Sequence, residues 1–572
     1  MTCLAGNADL PSDAASPHRI AASFVSLQVT KSGALLLEID CFEPTFARGG
    51  QSSRHYNEAQ RLKERKRVFN VVELQRLAAA AVSRRFEDIL HIRKLGEGAA
   101  NRAFIIRFHD DFELVARIPY LATEPRNLLV ASEAATMNFL RSQGIPVPQV
   151  YGYSASADNL ARTEYIFMEL SPGRNLSTAW SDMDDDDRLR FVTSLVDVEA
   201  RLFNLRLPAS GSLYFSRDLS ATIRKVALDD FDNSGTLCVG PSTSLDLWYG
   251  HRSGLDMNRG PHADTNDVCK AGAEKEALYL TRYGRPLLPF DRMRREVFNL
   301  EKQSPSTQLD SLKKYLRISQ HLIPTGNCEL AHPIIRHPDL RPSNIFVSED
   351  YKITSLIDWQ TAQALPVFLH SSIPDDLDNS RDAVSKSLEL PQLPEDCLDL
   401  SEDERLEQLE LFHKRQLHYF YMTETAQNNP THFEALTYPF AIGRRKIYNL
   451  SAAPWQGDNV PLRSSLIFVK QHWRQIIGDP EVPCPITFTE QEEHECLRLD
   501  ELEREAEEQL EASKEMLGLG PEGWISHENY EGAKKVVADM KEICMEQAES
   551  ETERLAVRDH WVYDDMDEDE YL

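Results

Sequence analysis

The order of secondary-structure signals between residues 89 and 173 constrains the fold more than any other feature. The stretch at 89–120 holds three β-rich runs, separated by a glycine-containing turn and by the turn sequence HDD. A helix is predicted at 132–143, with Ser132 as its N-terminal cap. Two more β-rich runs follow, GIPVPQVYGY and EYIFMELSPG. Three antiparallel strands, a helix and two further strands predict a small nucleotide-binding lobe.

Composition restricts the class of protein and of partner. A chain of 572 residues is too long for one compact core, so two or more domains are expected. Its net charge of −28 argues against a general nucleic-acid or anionic-membrane binder, because phosphates would be repelled. No apolar run approaches the roughly 18 residues that a membrane span needs. Nine cysteines without CxxC or metal-like spacing are expected to be free thiols in a reducing compartment.

The pattern along the chain predicts four regions. Residues 210–275, rich in Gly, Ser, Asp and Asn, are predicted to be a loop-bearing insertion. A long charged helix is predicted at 489–518, and the final DDMDEDEYL is predicted to be disordered. The predicted regions are a leader at 1–70, partly disordered or targeting, a small lobe at 71–172, a large mostly helical lobe at 173–480, and a helical extension with an acidic tail at 481–572.

The segment IIRHPDLRPSNIFVS, followed by ITSLIDWQ, carries the strongest chemical signal. Phosphoryl transfer from ATP needs a carboxylate near the attacking hydroxyl and oxygen ligands for the metal that neutralises the phosphates. Asp339 can orient and deprotonate the acceptor, and Asn344 and Asp358 can supply the metal-binding oxygens. The alternative is structural, with His337 a buried core histidine and Asp339 the cap of a turn.

HPDLRPSN followed by IDW resembles the catalytic and metal-binding loops of the aminoglycoside phosphotransferase and choline-kinase superfamily. The wider pattern, including KLGEGAANRAF, ASEAATMNFL and DMNRGP, resembles a fungal branch, the altered inheritance of mitochondria protein nine type. The similar segments lie between about 67 and 370. This resemblance implies an α+β, bilobal, protein-kinase-like fold with a β-rich N-lobe, a larger helical C-lobe and a helical C-terminal extension.

The resemblance also implies an ATP and Mg²⁺ site between the lobes. It assigns Asp339 as the catalytic base and Asn344 and Asp358 as the metal ligands. His337 is expected to position the loop. Arg341 is expected either to meet the γ-phosphate or to form a structural ion pair.

The predicted nucleotide-binding residues of the small lobe depart from the kinase pattern. Asn101 replaces the third glycine of GxGxxG, although asparagine tolerates left-handed backbone. Arg117 replaces the usual lysine and would pair with Glu133, for which an exposed helical glutamate is the alternative. The glycine loop itself could be an ordinary hairpin turn. The full set comprises Gly96, Gly98, Asn101, Arg117, Glu133 and, at the hinge, Glu169.

The remaining departures leave rival functions open. IDW replaces DFG and no activation loop is visible, so an ordinary protein kinase is not expected. The acceptor pocket is open, with Trp248, Tyr249 and Asp256 as candidate contacts or as parts of a structural loop. The alternative to a small-molecule phosphotransferase is a weak or inactive pseudokinase-like protein with a mitochondrial maintenance or binding role. The resemblance implies a mitochondrial address, although the composition of the N-terminus argues weakly against import.

Overall fold

The computed structural model describes residues 56–98, 100–231, 235–394, 400–519 and 524–572, together with three short strands nearer the N-terminus. Most of the predicted leader lies outside the described residues. Its last part, from Tyr56 onward, includes a helix and a short strand that contact the rest of the protein.

The strands are short outside the N-lobe. In chain order they are β1 (Leu27–Val29), β2 (Leu35–Glu38), β3 (Ser52–Arg54), β4 (Val68–Phe69), β5 (Ile89–Glu97), β6 (Asn101–Phe108), β7 (Glu113–Pro119), β8 (Val150–Ser154), β9 (Tyr165–Glu169), β10 (Arg174–Asn175), β11 (Ser212–Phe215), β12 (Val226–Ala227), β13 (Leu237–Gly240), β14 (Pro333–Ile335), β15 (Ile345–Val347), β16 (Ile353–Leu356), β17 (Ala364–Pro366) and β18 (Trp524–Ser526).

Helices dominate the chain after the N-lobe. In chain order they are α1 (Glu58–Arg65), α2 (Val71–Ala81), α3 (Arg126–Ser142), α4 (Leu176–Ala179), α5 (Asp185–Phe203), α6 (Thr265–Tyr283), α7 (Met293–Val297), α8 (Pro305–Ile318), α9 (Val367–His370), α10 (Ala383–Ser387), α11 (Glu402–Asn428), α12 (Pro430–Thr437), α13 (Ala441–Ala452), α14 (Val460–Gln471), α15 (Trp473–Ile477), α16 (Glu490–Met516), α17 (His527–Gln547) and α18 (Glu551–His560).

The N-lobe is a five-stranded antiparallel sheet in the order β5-β6-β7-β9-β8. The predicted strands, the glycine turn and the HDD hairpin are all present. The helix prediction was wrong at its start, because α3 begins at Arg126 and Ser132 is a buried interior residue. The apolar residues of this helix begin before Ser132, at Leu128, Leu129 and Val130. The helix includes these residues and does not begin at the local capping signal.

One large apolar core joins the N-lobe helix α3 to the C-lobe. It includes Phe139 on α3, Val192 on α5, Ile345 on β15 and Trp359, all 2% exposed or less. The chain passes between the lobes at Gly173, whose φ of +93° and close approach to the Val347 carbonyl leave no room for a side chain. Immediately afterwards β10 pairs with β15, so the crossing point is attached directly to the catalytic hairpin.

The C-lobe places the predicted catalytic motif on a small sheet. Strands β15 and β16 form an antiparallel hairpin whose open end carries both Asn344, just before β15, and Asp358, just after β16. The predicted loop-bearing insertion contains a three-stranded sheet, β11-β13-β12, before α6 begins at Thr265. Its apolar strand residues, such as Leu213 and Val239, are fully buried, so the short strands are stabilised by burial in the main core.

The C-terminal extension packs against the C-lobe. The predicted charged helix is confirmed as α16, which begins with a Thr489 capping box. The prediction of a disordered acidic tail was wrong, because Tyr571 is 1% exposed and its hydroxyl donates to the Leu288 carbonyl at 2.9 Å. Two apolar aromatic anchors, Trp561 and Tyr571, dock a tail whose average composition is acidic.

Among the helices that the structure describes, none is long and apolar enough to cross a membrane. Overall, the α+β bilobal kinase-like architecture is confirmed: a β-rich N-lobe precedes a larger helical C-lobe, and helices α16 to α18 form the extension.

Candidate functional site

The catalytic loop between β14 and β15 is held by a buried histidine. The backbone N–H of Asp339 donates to His337 Nδ1 at 3.1 Å, so the ring proton lies on Nε2, which donates to the Ile357 carbonyl at 2.7 Å. The ring packs edge-on against Trp359. Burial lowers the pKa of His337, which keeps the imidazole neutral and preserves this tautomer. His337 therefore ties the Asp339 loop to the Asp358 loop, as its predicted positioning role requires.

A second buried network supports the same loop from behind. Arg336 donates through Nε at 2.9 Å and through Nη2 at 2.5 Å to Glu199 Oε1 on α5. The Tyr421 hydroxyl of α11 donates to the other oxygen of Glu199 at 2.6 Å. All three side chains are at most 5% exposed. The residue before His337 is thus fixed to two C-lobe helices, which rigidifies the loop.

Asp339 lies where two donors orient its carboxylate. Arg341 Nε donates to Oδ1 at 2.6 Å, and Asn344 Nδ2 donates to Oδ2 at 3.1 Å and to the Asp339 carbonyl at 2.9 Å. The Asp339 side chain remains 43% exposed, so a substrate hydroxyl can approach it. Because the Asn344 nitrogen is used in these bonds, its amide oxygen is the atom available to a metal. Arg341 forms the ion pair that was one of its two predicted roles.

Asp358 and Arg117 join the two lobes. Arg117 Nη2 contacts Asp358 Oδ1 at 2.5 Å, and Nη1 contacts Glu133 Oε1 on α3. Arg117 and Glu133 are 9% and 5% exposed, whereas the Asp358 side chain is 41% exposed. Asp358 has a φ of +67°, which an aspartate tolerates and which turns its carboxylate toward the N-lobe. The structure thus brings the predicted Arg117–Glu133 pair together and adds Asp358 to it.

The two carboxyl groups that Arg117 contacts have pKa values shifted in opposite directions. Burial raises the pKa of Glu133 to about 7, against the opposing effect of Arg117. Burial also works against the charged form of Asp358, but Arg117 outweighs it, and the pKa of this carboxyl falls below its ordinary value. Asp358 is therefore held as the anion, the protonation state that a metal ligand requires.

The glycine hairpin lies beside these residues. Gly98 N–H donates to the Asn101 carbonyl at 2.9 Å, and a side chain added at Gly96 would meet open space. The Asn101 side-chain amide reaches across the lobes and donates to Gln360 Oε1 at 3.0 Å. Gln360 Oε1 also accepts from Arg117 Nη2 at 2.9 Å. Asn101 is therefore more than a tolerated replacement for glycine, because its side chain contacts the C-lobe.

Glu169 ends β9 just before the chain crosses to the C-lobe. Its carboxylate accepts from Arg141 Nη1 at 2.9 Å and from the backbone N–H of Gln149 at 3.0 Å. Its own N–H donates to the Gln149 carbonyl. These contacts fix the hinge segment to the N-lobe, and a role in binding the nucleotide stays a prediction.

The candidate acceptor contacts of the insertion have structural partners. Trp248 Nε1 donates to the Ser242 carbonyl at 2.9 Å, and the Arg259 guanidinium stacks on the Trp248 ring. Gly250, next to Tyr249, lies against the terminal residue Leu572. Among the described contacts, no hydrogen bond or ion pair joins Trp248, Tyr249 or Asp256 to the catalytic loop. Their assignment to an acceptor pocket remains a prediction.

A cavity of about 1240 Å³ lies between α1 and the α17–α18 pair. It reaches the glycine hairpin only at Glu97 and is lined by none of the predicted site residues. The residues predicted from the sequence to form the site lie at the lobe junction and not in this cavity.

Gln360 and the Arg336–Glu199–Tyr421 network were missed by sequence reasoning. Gln360 had one usable signal, its position two residues after Asp358. Glu199 and Tyr421 had none, because each is an ordinary helical residue until the fold brings it to Arg336.

The oxygen donors at the junction fit a magnesium ion bound together with phosphates. Mg²⁺ prefers one or two protein oxygen ligands, with phosphates and water completing its shell. The Asp358 carboxylate and the Asn344 amide oxygen supply that donor set. Within the described part of the chain, no cluster of three or more His, Cys, Asp or Glu residues forms an all-protein metal cage.

Residues 91–368 match the model of the phosphotransferase enzyme family. A subtelomeric hrmA-associated cluster protein of Aspergillus fumigatus is 29% identical over 516 residues, covering 83% of this chain and 97% of that protein. Altered inheritance of mitochondria protein 9, mitochondrial, of Saccharomyces cerevisiae is 23% identical over 433 residues, 68% of this chain and 65% of that protein. A solved Plasmodium vivax ethanolamine kinase covers 67% of this chain and 82% of its own at 12% identity, with a TM-score of 0.29.

Proposed function

Because residues 91–368 match the model of the phosphotransferase enzyme family, we propose that this protein transfers the γ-phosphoryl group of ATP to a hydroxyl group of a small molecule. The observation that carries the proposal is the arrangement of Asp339, Asn344 and Asp358 around the open end of the β15–β16 hairpin, opposite Arg117 of the N-lobe. The three oxygen-bearing side chains meet the separate needs of a base and of a metal site.

In the proposed reaction, Asp339 acts on the acceptor. Its exposed carboxylate accepts the hydroxyl proton while the acceptor oxygen bonds to the γ-phosphorus, and the bond from that phosphorus to the β-bridging oxygen breaks to release ADP. Arg341 and Asn344 keep the carboxylate oriented through one hydrogen bond to each of its oxygens. His337 holds the loop in place and remains neutral.

Asn344 and Asp358 would hold Mg²⁺ through their side-chain oxygens. When bound, the ion neutralises charge on the phosphate oxygens. The protein prepares this site by keeping Asp358 ionised and by turning the Asn344 nitrogen toward Asp339.

The N-lobe would hold the phosphates. Backbone N–H groups of the glycine hairpin around Gly96 and Gly98 can approach phosphate oxygens without side-chain hindrance. Arg117 contributes donors and Glu133 fixes it. The Asn101 side-chain amide donates to Gln360, so Asn101 contributes by holding the hairpin to the C-lobe. Glu169 orders the hinge, where backbone groups would face the adenine.

One observation favours the second candidate, a weak or inactive pseudokinase-like protein. Arg117 directly occupies an oxygen of Asp358, the proposed metal ligand. An arginine at this position holds a carboxylate with a rigid fork and releases it less readily than a lysine would. Two relatives are named as mitochondrial proteins, so a mitochondrial location is proposed for both candidates, with the cytoplasm as the alternative.

Thermal unfolding with and without Mg·ATP tests the proposal. A ligand at a hundredfold its dissociation constant stabilises the native state by about 2.7 kcal/mol, which is a readily measured rise in Tm. The rise should require Mg²⁺ and should be lost in Asp358→Ala, each variant being compared with its own ligand-free Tm. Wild-type protein that shows no rise at millimolar Mg·ATP would contradict nucleotide binding. Binding without turnover on any hydroxyl acceptor would favour the pseudokinase-like candidate.

A further inference from the structure

Gln360 connects two separate elements of the N-lobe to the metal-binding loop. Its Oε1 accepts from Asn101 Nδ2 at 3.0 Å and from Arg117 Nη2 at 2.9 Å. Asn101 begins β6 directly after the glycine turn, and Arg117 lies on β7. With Glu133 and Asp358, these residues form one continuous set of contacts, here named the interlobe network: Asn101, Arg117, Glu133, Asp358 and Gln360.

The turn that carries Gln360 is rigid. Asp358 and Thr361 both have left-handed backbone, with φ of +67° and +63°. Trp359 lies between Asp358 and Gln360, is fully buried, and donates from Nε1 to the Leu356 carbonyl at 3.0 Å. Because Trp359 anchors the turn in the core, Asp358 and Gln360 both reach Arg117 from fixed positions.

Three residues of this network stand where the protein-kinase pattern has another residue type. Asparagine stands at the third glycine position, arginine at the lysine position, and glutamine two residues after the metal-binding aspartate. The arginine fork can serve Glu133 through one nitrogen and both Asp358 and Gln360 through the other. The Gln360 oxygen accepts hydrogen bonds from Asn101 and Arg117 at the same time. Each of these three residues is therefore in contact with at least one of the other two.

We infer that Gln360 is a positioning residue that sets the placement of the glycine hairpin and of Arg117 over the phosphate site. This inference rests on the proposed nucleotide binding. Arg117 has two acceptors besides Asp358, namely Glu133 and Gln360. The guanidinium therefore stays in place when the Asp358 oxygen binds a metal. Through Asn101, the same oxygen keeps the glycine hairpin close to the C-lobe.

A double-mutant cycle on the dissociation constant of Mg·ATP, measured by calorimetry, tests the inference. Gln360→Leu removes the acceptor and Asn101→Ala removes one donor. Each variant should weaken binding about tenfold, the loss expected for a hydrogen bond worth about 1.4 kcal/mol. The double variant should be little weaker than Gln360→Leu, because both changes remove the same contact. Gln320→Leu, on the exposed surface of the C-lobe, is the matched control and should bind like wild type.

A second measurement is made on the ligand-free protein. Gln360→Leu should speed amide hydrogen exchange at Gly98, whose N–H donates to the Asn101 carbonyl, without changing exchange across the β15–β16 hairpin.

The possible failures are distinguishable. Losses that multiply to about a hundredfold in the double variant, or variants that bind like wild type, would overturn this inference and leave the proposed function intact. Wild-type protein that fails to bind Mg·ATP would overturn the proposed function and the nucleotide role of Gln360 with it.

Discussion

The Asn344 side-chain amide donates to the Asp339 carboxylate at 3.1 Å, so the proposed metal ligand and the proposed base orient each other. This one hydrogen bond has two consequences for the proposed site. It commits the Asn344 nitrogen to Asp339, which leaves the Asn344 oxygen for a metal. Together with the bond from Arg341, it also orients the Asp339 carboxylate.

Replacing Asp339 with Asn should lower turnover by about 10²- to 10⁴-fold, the usual contribution of a positioned general base. The Mg·ATP-induced rise in Tm should be retained, because the proposed metal ligands are unchanged. Turnover is measured as ADP release with an acceptor once one is identified. Asp350→Asn is the matched control, since Asp350 is an exposed acid in the turn between β15 and β16. Equal turnover in Asp339→Asn and wild type would remove Asp339 from the role of base.

Replacing Arg117 with Met should destabilise the fold by about 1–3 kcal/mol, because the buried Glu133 carboxyl would lose the hydrogen bond from Arg117 and would have to be protonated. Adding Glu133→Leu should recover much of that loss, since the double variant leaves no buried carboxyl without its partner on α3. Urea unfolding measures both free energies. A cost below about 1 kcal/mol for the single change would show that Glu133 is accommodated without Arg117, contrary to the buried pair described here.

His370 should make the fold sensitive to acid. Burial lowers the pKa of His370 to about 4, and Arg336 nearby acts in the same direction. The folded-state pKa lies below the unfolded value of about 6.5, so the unfolded chain binds more protons between these values. This contribution is complete above about pH 6.5 and is lost as the pH falls toward about 4, reaching roughly 2 kcal/mol of lost stability at pH 5.

His370→Gln isolates that contribution. Glutamine keeps a donor for the Gln363 carbonyl, which the His370 ring contacts at 3.0 Å, but it does not titrate. The difference in unfolding free energy between pH 7 and pH 5 should shrink by roughly 2 kcal/mol relative to wild type. Identical pH dependence in the two proteins would contradict a neutral, half-buried His370.

The C-terminal tail should contribute to global stability. Tyr571 is 1% exposed, and its ring meets Phe290 edge-on with centroids 5.1 Å apart. Tyr571→Ala should cost about 3–5 kcal/mol, as expected for a buried large aromatic side chain. Tyr571→Phe should cost only about 1 kcal/mol, for the hydroxyl bond to Leu288. Unfolding in urea compares the three proteins, and a Tyr571→Ala variant as stable as wild type would show that the tail is not docked in solution.

The sequence by itself determined the succession of strands and helix along the N-lobe and the motif that ends in Asp358. It could do so because both are local: strand periodicity, turn residues and the spacing from Asp339 to Asn344 are written within short stretches. Comparison with the protein-kinase pattern also predicted that Arg117 would pair with Glu133, and the structure contains this ion pair.

Only the tertiary structure decided which distant residues complete the site and where the tail goes. Gln360 is recognised as a site residue only through its contact with Asn101, 259 positions away in the chain. Glu199 is recognised only through its contact with Arg336, 137 positions away. The acidic tail was predicted to be disordered because composition averages over residues, whereas docking depends on two aromatic side chains that find buried positions. Contacts of this kind depend on three-dimensional proximity, which the pattern of a single sequence does not encode locally.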